Sequence, residues 1–197
     1  MRVLRLVSFL AAAAAEPRFF NKAEYARWLA SRLGWGTLAT TSTAPGTEGW
    51  PFANPVSYSE AHGIPYMCVS GLDASIQDIQ KDARCSLALS EAQLGEDKCN
   101  VTKSGDAESP LCARLVLSGT FIKLENTTKE WSTAKDALEP KHPAMAGWGC
   151  FNEEGPSGHG FFLAKIDIKQ AWLINMYGGA AVLTAEEYFA AERPAVA

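Results

Sequence analysis

The chain has 197 residues, 47% of them apolar, with a formal net charge of −4 and no run of Lys or Arg. This length and apolar content suffice for one well-packed domain, and no break in composition marks a second. Direct binding of nucleic acid is not expected, because it needs a concentrated basic face to displace counterions.

Residues 1–15 read as a secretory leader, with Arg2 and Arg5 ahead of an apolar run from Leu6 and Ala13-x-Ala15 just before Glu16. The run is too short to span a bilayer. An organelle transit peptide and the first turns of a surface helix are the alternatives. No other stretch is apolar enough for a membrane span. The leader reading expects a mature protein of the extracellular space or the endolysosomal lumen, its single domain covering 21–192.

Asn21-Lys22-Ala23-Glu24 resembles a capping box, and Tyr25, Trp28, Leu29 and Leu33 fall on one face of the helix it opens. Gly34 stops that helix. Trp35 to Thr41 follows as a strand, and Ser42 to Gly49 as a polar turn. The stretch from Trp50 to Leu89 then predicts a strand (WPFANPVSYS), a short turn (EAHG), a second strand into Ser70, a helix opening at Ser70, and a third strand from about Cys85.

The corner at Ser70 has two readings. Ser70-Gly71-Leu72-Asp73 fits a capping box, with Leu72, Ile76 and Ile79 giving the helix its apolar face and Ser75, Gln77 and Asp78 pointing elsewhere. That is an ordinary capped helix, which satisfies its own donors and sets a carboxylate where an anion would sit. The other reading is a phosphate cradle made by Ser70, Gly71 and Ser75.

Ser90 to Pro110 is a long polar insertion without periodicity. Arg114 to Leu124 is a long strand with a bulge or bend expected at Gly119. Thr127-Thr128-Lys129-Glu130 caps a helix carrying Trp131, Ala134 and Leu138, which stops by Pro140. Phe161 to Ile168 and Ala171 to Asn175 read as two strands. Gly178-Gly179 is a turn before a short run at Val182, and Thr184 with Glu187 caps a last helix ended by Pro194. About seven strands joined by short connections predict a mainly β fold, a closed antiparallel barrel with peripheral helices.

Chemical motifs are few. The sequence has no nucleophile elbow, no zinc-protease helix and no glycine-rich nucleotide loop, and the acidic residues select no acid–base pair. His62, His142 and His159 are scattered through turns without metal-ligand spacing, so no metal site is expected; His159, at a strand entrance, is placed to line a barrel mouth.

Taken together, the central stretch, the segment Ser109 to Thr120 (SPLCARLVLSGT), and the end from Phe161-Phe162-Leu163-Ala164-Lys165 through Tyr177-Gly178-Gly179 to Glu186-Glu187-Tyr188 resemble the CREG family of secreted cellular-repressor glycoproteins. The likeness runs from Tyr25 to Tyr188. It implies a split β-barrel of the type found in FMN-dependent pyridoxamine phosphate oxidases, a homodimer, and a glycoprotein of the secretory or endolysosomal route. It further implies a non-enzymatic binding module, acting in growth and differentiation control through a cell-surface or lysosomal receptor. The alternative is an FMN-dependent oxidoreductase of the same superfamily. Related flavin barrels carry His, Thr and Asn at the start of the corner helix, where this chain has Ser75, Ile76 and Asp78.

Three expectations follow. Cys99 pairs with Cys112 across the polar loop, two free thiols being the alternative; Cys68 and Cys85 are buried thiols within strands, and Cys150 is unassigned. Asn100 and Asn126 head the acceptor patterns Asn100-Val101-Thr102 and Asn126-Thr127-Thr128, with Asn126 the more exposed. The chain holds no cofactor tightly; if FMN binds, Ser70, Ser75 and Arg84 are the residues to receive it, although Lys81 and Arg84 fall at the far end of the helix or beyond.

Overall fold

The computed structural model describes residues 16–153 and 159–191. The leader segment, Ser157-Gly158 and Pro194 lie outside the described residues. Helix α1 (Lys22–Arg32) leads into strands β1 (Trp35–Thr41), β2 (Pro51–Ala61) and β3 (Ile64–Ser70), a short helix α2 (Ala74–Ile79), and strand β4 (Arg84–Ser90). Strand β5 (Arg114–Lys123), helix α3 (Lys129–Lys141), strands β6 (Phe161–Ile174) and β7 (Ala181–Thr184), and helix α4 (Ala185–Ala190) complete the chain order. Every strand pairing is antiparallel. The order is β3-β2-β1-β4-β5-β6-β7, and a further β3–β6 pairing closes the first six strands into a barrel.

The hairpin between β2 and β3 is tighter than the sequence predicts. Strand β2 continues through Glu60 and Ala61, and His62 and Gly63 alone make the turn, both with positive φ (55° and 89°). A two-residue turn of that hand matches strand twist and so preserves the register. The Glu60 carboxylate accepts from the Gly63 N–H across it.

Strand β6 is continuous for 14 residues, where the sequence suggests two strands. The polar pair Lys169-Gln170 reads as a break but acts as a bulge. Opposite it the register shifts between Ser118 and Gly119, so that Ser118 pairs with Gln170 and Gly119 with Ile168. Strand β6 bends there without losing its ladder. Gly119 is required by contact: a Cβ would collide with the Asp167 carbonyl.

Helix starts follow local caps, with differences. Asn21 precedes α1, but its side chain bonds the Glu24 carboxylate (2.8 Å) and not the backbone. Thr128 caps α3 by accepting from the Trp131 N–H (3.2 Å), and α3 runs past Pro140 to Lys141. Lys141 Nζ then donates to the Leu33 and Ser31 carbonyls (2.5 and 3.3 Å), covering the C-terminal end of α1. Thr184 and Glu187 form a reciprocal capping box for α4, which ends at Ala190.

Among the described residues the core has two parts. The larger fills the barrel and extends under α1 and α4, with Leu38, Tyr58, Leu87, Leu117, Ile166 and Leu173 among its members. The smaller lies outside the barrel, where Tyr66, Cys68 and Leu163 meet Trp131, Ala134 and Leu138 of α3 together with Met145. Here the cysteine expectation needs correction. Cys68 is not a thiol; it is bonded to Cys150, 82 residues away, with Cα atoms 5.9 Å apart. Cys68 faces outward from β3 into the smaller cluster, where the chain returns after the 3-10 segment Pro143–Trp148. Cys99 is bonded to Cys112. Cys85 is a buried free thiol, and burial pushes it up to about 12.

Gly119→Ala should destabilise the protein by about 2 kcal/mol or more, since the clash is with backbone that cannot move aside. Gly147→Ala, in open space, should stay within about 0.5 kcal/mol. Urea denaturation of both variants checks the contrast, and equal stabilities would remove the bulge from this role.

Candidate functional site

The β3–α2 corner forms the wall of a cavity of about 440 Å³. The helix opens later than the sequence suggests. Asp73, not Ser70, is its N-cap, with Oδ1 accepting from the Ser75 N–H (2.8 Å). Ser70 is the last residue of β3; its Oγ accepts from the Leu72 N–H (3.2 Å) and donates to the His159 carbonyl (2.6 Å). The expected box between Ser70 and Asp73 is therefore absent, because pairing with Phe161 keeps Ser70 in the sheet.

Moving the start moves the faces. Leu72 is 68% exposed and leaves the apolar face expected of it, whereas Ile76 and Ile79 stay buried. Ser75 and Asp78, expected to point elsewhere, are buried on the same inner side. Asp78 accepts from Thr40 Oγ1 (2.8 Å), the Thr43 N–H (2.7 Å) and Thr43 Oγ1 (2.9 Å), which ties α2 to the end of β1. Burial acts to raise its carboxyl, but those donors outweigh burial and hold it below the ordinary Asp value.

Of the three candidate cofactor contacts, the structure brings two together. Ser70 and Ser75 both line the cavity. Arg84 does not: it lies beyond α2, exposed, its guanidinium bonded to Asp82 (Nε to Oδ1, 2.9 Å). Lys81 does not line the cavity either. The remaining walls are largely apolar, with Leu38, Val56, Val69, Ile76, Met145 and Phe161, and Trp148 and His159 stand at the rim. The Trp148 and Phe161 rings stack, with centroids 5.7 Å apart. His159, expected at a barrel mouth, lines this cavity. Met145 and Trp148 were not legible, since the 3-10 segment carrying them is brought here by the Cys68–Cys150 bond.

An FMN phosphate does not fit this corner. It needs cationic side chains or unoccupied helix amides. The Ser75 and Leu72 amides are already engaged, and among the described residues the ionisable groups lining the cavity are a carboxylate, Asp73, and an imidazole, His159. Ser75 Oγ is buried and has no hydrogen-bond partner among the described residues.

Elsewhere, Glu91 is wholly buried and accepts from the Ala113 N–H (2.8 Å) and the Tyr25 hydroxyl (3.2 Å). Glu16, Glu91 and Glu96 converge, but Lys98 Nζ lies among them at 2.8, 2.7 and 3.8 Å and supplies the positive charge that a metal ion would bring. The glycosylation candidates differ from expectation in their surroundings. Asn100 Oδ1 accepts from the Thr102 N–H and hydroxyl (2.9 and 2.7 Å). Asn126, expected to be exposed, is half-buried, its amide donating to the Asn152 and Glu153 carbonyls (3.3 and 3.4 Å).

Residues 17–190 match the family described as "CREG, beta-barrel". The chain belongs to the CREG family. It is 37% identical to Protein CREG1 of Mus musculus over 169 residues, covering 83% of this chain and 71% of the mouse protein. It is 35% identical to Protein CREG2 of Homo sapiens over 184 residues, which cover 91% of this chain and 59% of that protein. Among solved structures, a heme binding protein from Mycobacterium smegmatis superposes with a TM-score of 0.69 at 26% identity, over 91% of this chain and 63% of that one. HutZ, the heme storage protein from Vibrio cholerae, superposes with a TM-score of 0.55 at 11% identity, a likeness of fold alone. The barrel of this CREG-family chain is thus a split-barrel fold, as the family resemblance implies.

Asp78→Asn should lower stability at neutral pH by about 1–3 kcal/mol, because a charged acceptor of three hydrogen bonds is replaced by a neutral group. The folded-state pKa is depressed, so this stabilisation is complete above the unfolded value near 4 and is lost as pH falls through the folded one. Denaturation at pH 7 and pH 3 should show the gap between variant and parent narrowing in acid. A constant gap would assign the loss to packing.

Proposed function

We infer that this CREG-family protein works by binding a partner in the extracellular space or endolysosomal lumen, as a homodimer, in growth and differentiation control through a receptor, and not as a flavin enzyme. The observation that carries this is the charge of the β3–α2 cavity. Among the described residues its ionisable lining groups are Asp73 and His159, and Asp73 occupies the helix N-terminus that a phosphate would need. A heme, which the Mycobacterium smegmatis protein is described as binding, would bring two carboxylates into the same surroundings. The two disulfides are compatible with an oxidising compartment. Among the described residues no helix is long and apolar enough to cross a membrane.

The FMN-dependent oxidoreductase remains the second reading. What favours it is that Ser70 and Ser75 meet in one cavity and that Ser75 Oγ has no partner.

The test uses protein secreted from a eukaryotic host. A colourless sample is expected, with no calorimetric binding of FMN tighter than about 10 µM near physiological salt. Mass spectrometry of the same sample should find cleavage after Ala15, a mass drop on N-glycosidase treatment from glycans on Asn100 and Asn126, and two disulfides with Cys85 free. A yellow protein, or micromolar FMN binding abolished by Ser75→Glu, would overturn the binding-module reading. An unglycosylated chain with its leader intact would count against the secretory route.

A further inference from the structure

The cavity that does not suit an anion has features that suit the opposite charge. Asp73 contributes a carboxylate to its wall, and among the described residues each of its oxygens makes one bond: Oδ1 with the Ser75 N–H (2.8 Å) and Oδ2 with Asn54 Nδ2 (3.0 Å). A carboxylate oxygen has two lone pairs, so both oxygens keep acceptor capacity. Ser75, 2% exposed, lines the same cavity, and its buried hydroxyl has no hydrogen-bond partner among the described residues. A buried hydroxyl left alone is costly, and a ligand N–H would relieve that cost.

Aromatic side chains line the same cavity. Trp148 is 47% exposed and stacks on Phe161 at the mouth, while Leu38, Val56, Val69 and Ile76 line the interior. Tryptophan offers the strongest face for a cation among the aromatic side chains. A neutral apolar ring would satisfy these walls but would bury the Asp73 charge without a partner. An aliphatic ammonium would satisfy Asp73 and sit over an aromatic face, but it brings no ring to stack on Trp148 and Phe161. A volume of about 440 Å³ is that of a small-ligand site.

We propose that the β3–α2 cavity binds a planar aromatic cation bearing N–H donors, its ring against Trp148 and Phe161, its charge towards Asp73 and an N–H on Ser75 Oγ. This rests on the reading that the corner does not take a flavin phosphate, and it names the class of small molecule the site accepts instead.

Three planar tricyclic probes separate the terms: proflavine, a cation with amino groups; lumiflavin, neutral; and FMN, anionic. Titrated into the secreted protein at pH 8, proflavine should quench tryptophan fluorescence and bind at about 10 µM or tighter, lumiflavin about tenfold more weakly, and FMN more weakly still. Asp73→Asn keeps a side-chain oxygen to cap α2 and removes the charge. It should weaken proflavine about tenfold and leave lumiflavin unchanged. If that variant does not fold, Asp73→Ser supplies a cap acceptor and carries the same test. Trp148→Leu should remove most of the quenching. Equal affinity for proflavine and lumiflavin, proflavine affinity unchanged in the Asp73 variant, or no proflavine binding would overturn this proposal while leaving the binding-module reading intact. FMN as the tightest of the three would overturn both.

Discussion

The β6 strand is the constraint on which the rest of the architecture depends. Its 14 residues bond β5 along nearly their whole length, β3 at one end and β7 at the other. Without the β3 pairing the sheet would remain open, with two edges to protect. A strand this long can serve three neighbours only if it bends, and the bulge facing Gly119 supplies the bend. The same closure sets the candidate site. Pairing of Ser70 with Phe161 ends β3 beside the His159 carbonyl, so the corner, the rim histidine and the aromatic wall are fixed by one ladder.

Strand β3 is enclosed on both sides, which explains its sequence. Met67 and Val69 belong to the barrel core, and Tyr66 and Cys68 to the cluster under α3. A strand buried on both faces loses the alternation of a half-exposed one, and Ile64-Pro65-Tyr66-Met67-Cys68-Val69 is the near-continuous apolar run that results. The outer cluster also positions the 3-10 segment Pro143–Trp148. Met145 is buried beneath it, Trp148 stands half-exposed at the rim, and Cys150 fastens the end to β3.

Features with a local physical cause were legible in the sequence. Thr184 and Glu187 are three residues apart and can satisfy each other's backbone donors without help, and Gly119 announces a bulge because no side chain fits. Ser70 and Asp73 show where locality fails. Either can cap a helix, and the choice fell to Asp73 because Ser70 is held in the sheet by a strand 91 residues away in sequence, at Phe161. Lys169-Gln170 has the composition of a turn, and only the continuous partner strand β5 makes it a bulge. The Cys68–Cys150 bond and the placing of Trp148 over the cavity depend on how α3 and its following segment pack. That is long-range information without a local signal.

The corner also shows why likeness of fold does not carry a ligand with it. A split barrel provides a strand end, a helix start and a hollow between them, and the helix start favours negative charge. What occupies that favourable place is decided by side chains. Where the first residues leave the amides free, an anionic ligand completes the helix; where a carboxylate of the chain caps it, the helix is complete without one. Asp73 does the second, and Arg84, the candidate cation, is turned away and paired with Asp82. The result is a hollow whose dipole is already answered and whose remaining charge is negative. Its ligand preference then follows from Asp73, Ser75 and Trp148 and not from the barrel that holds them.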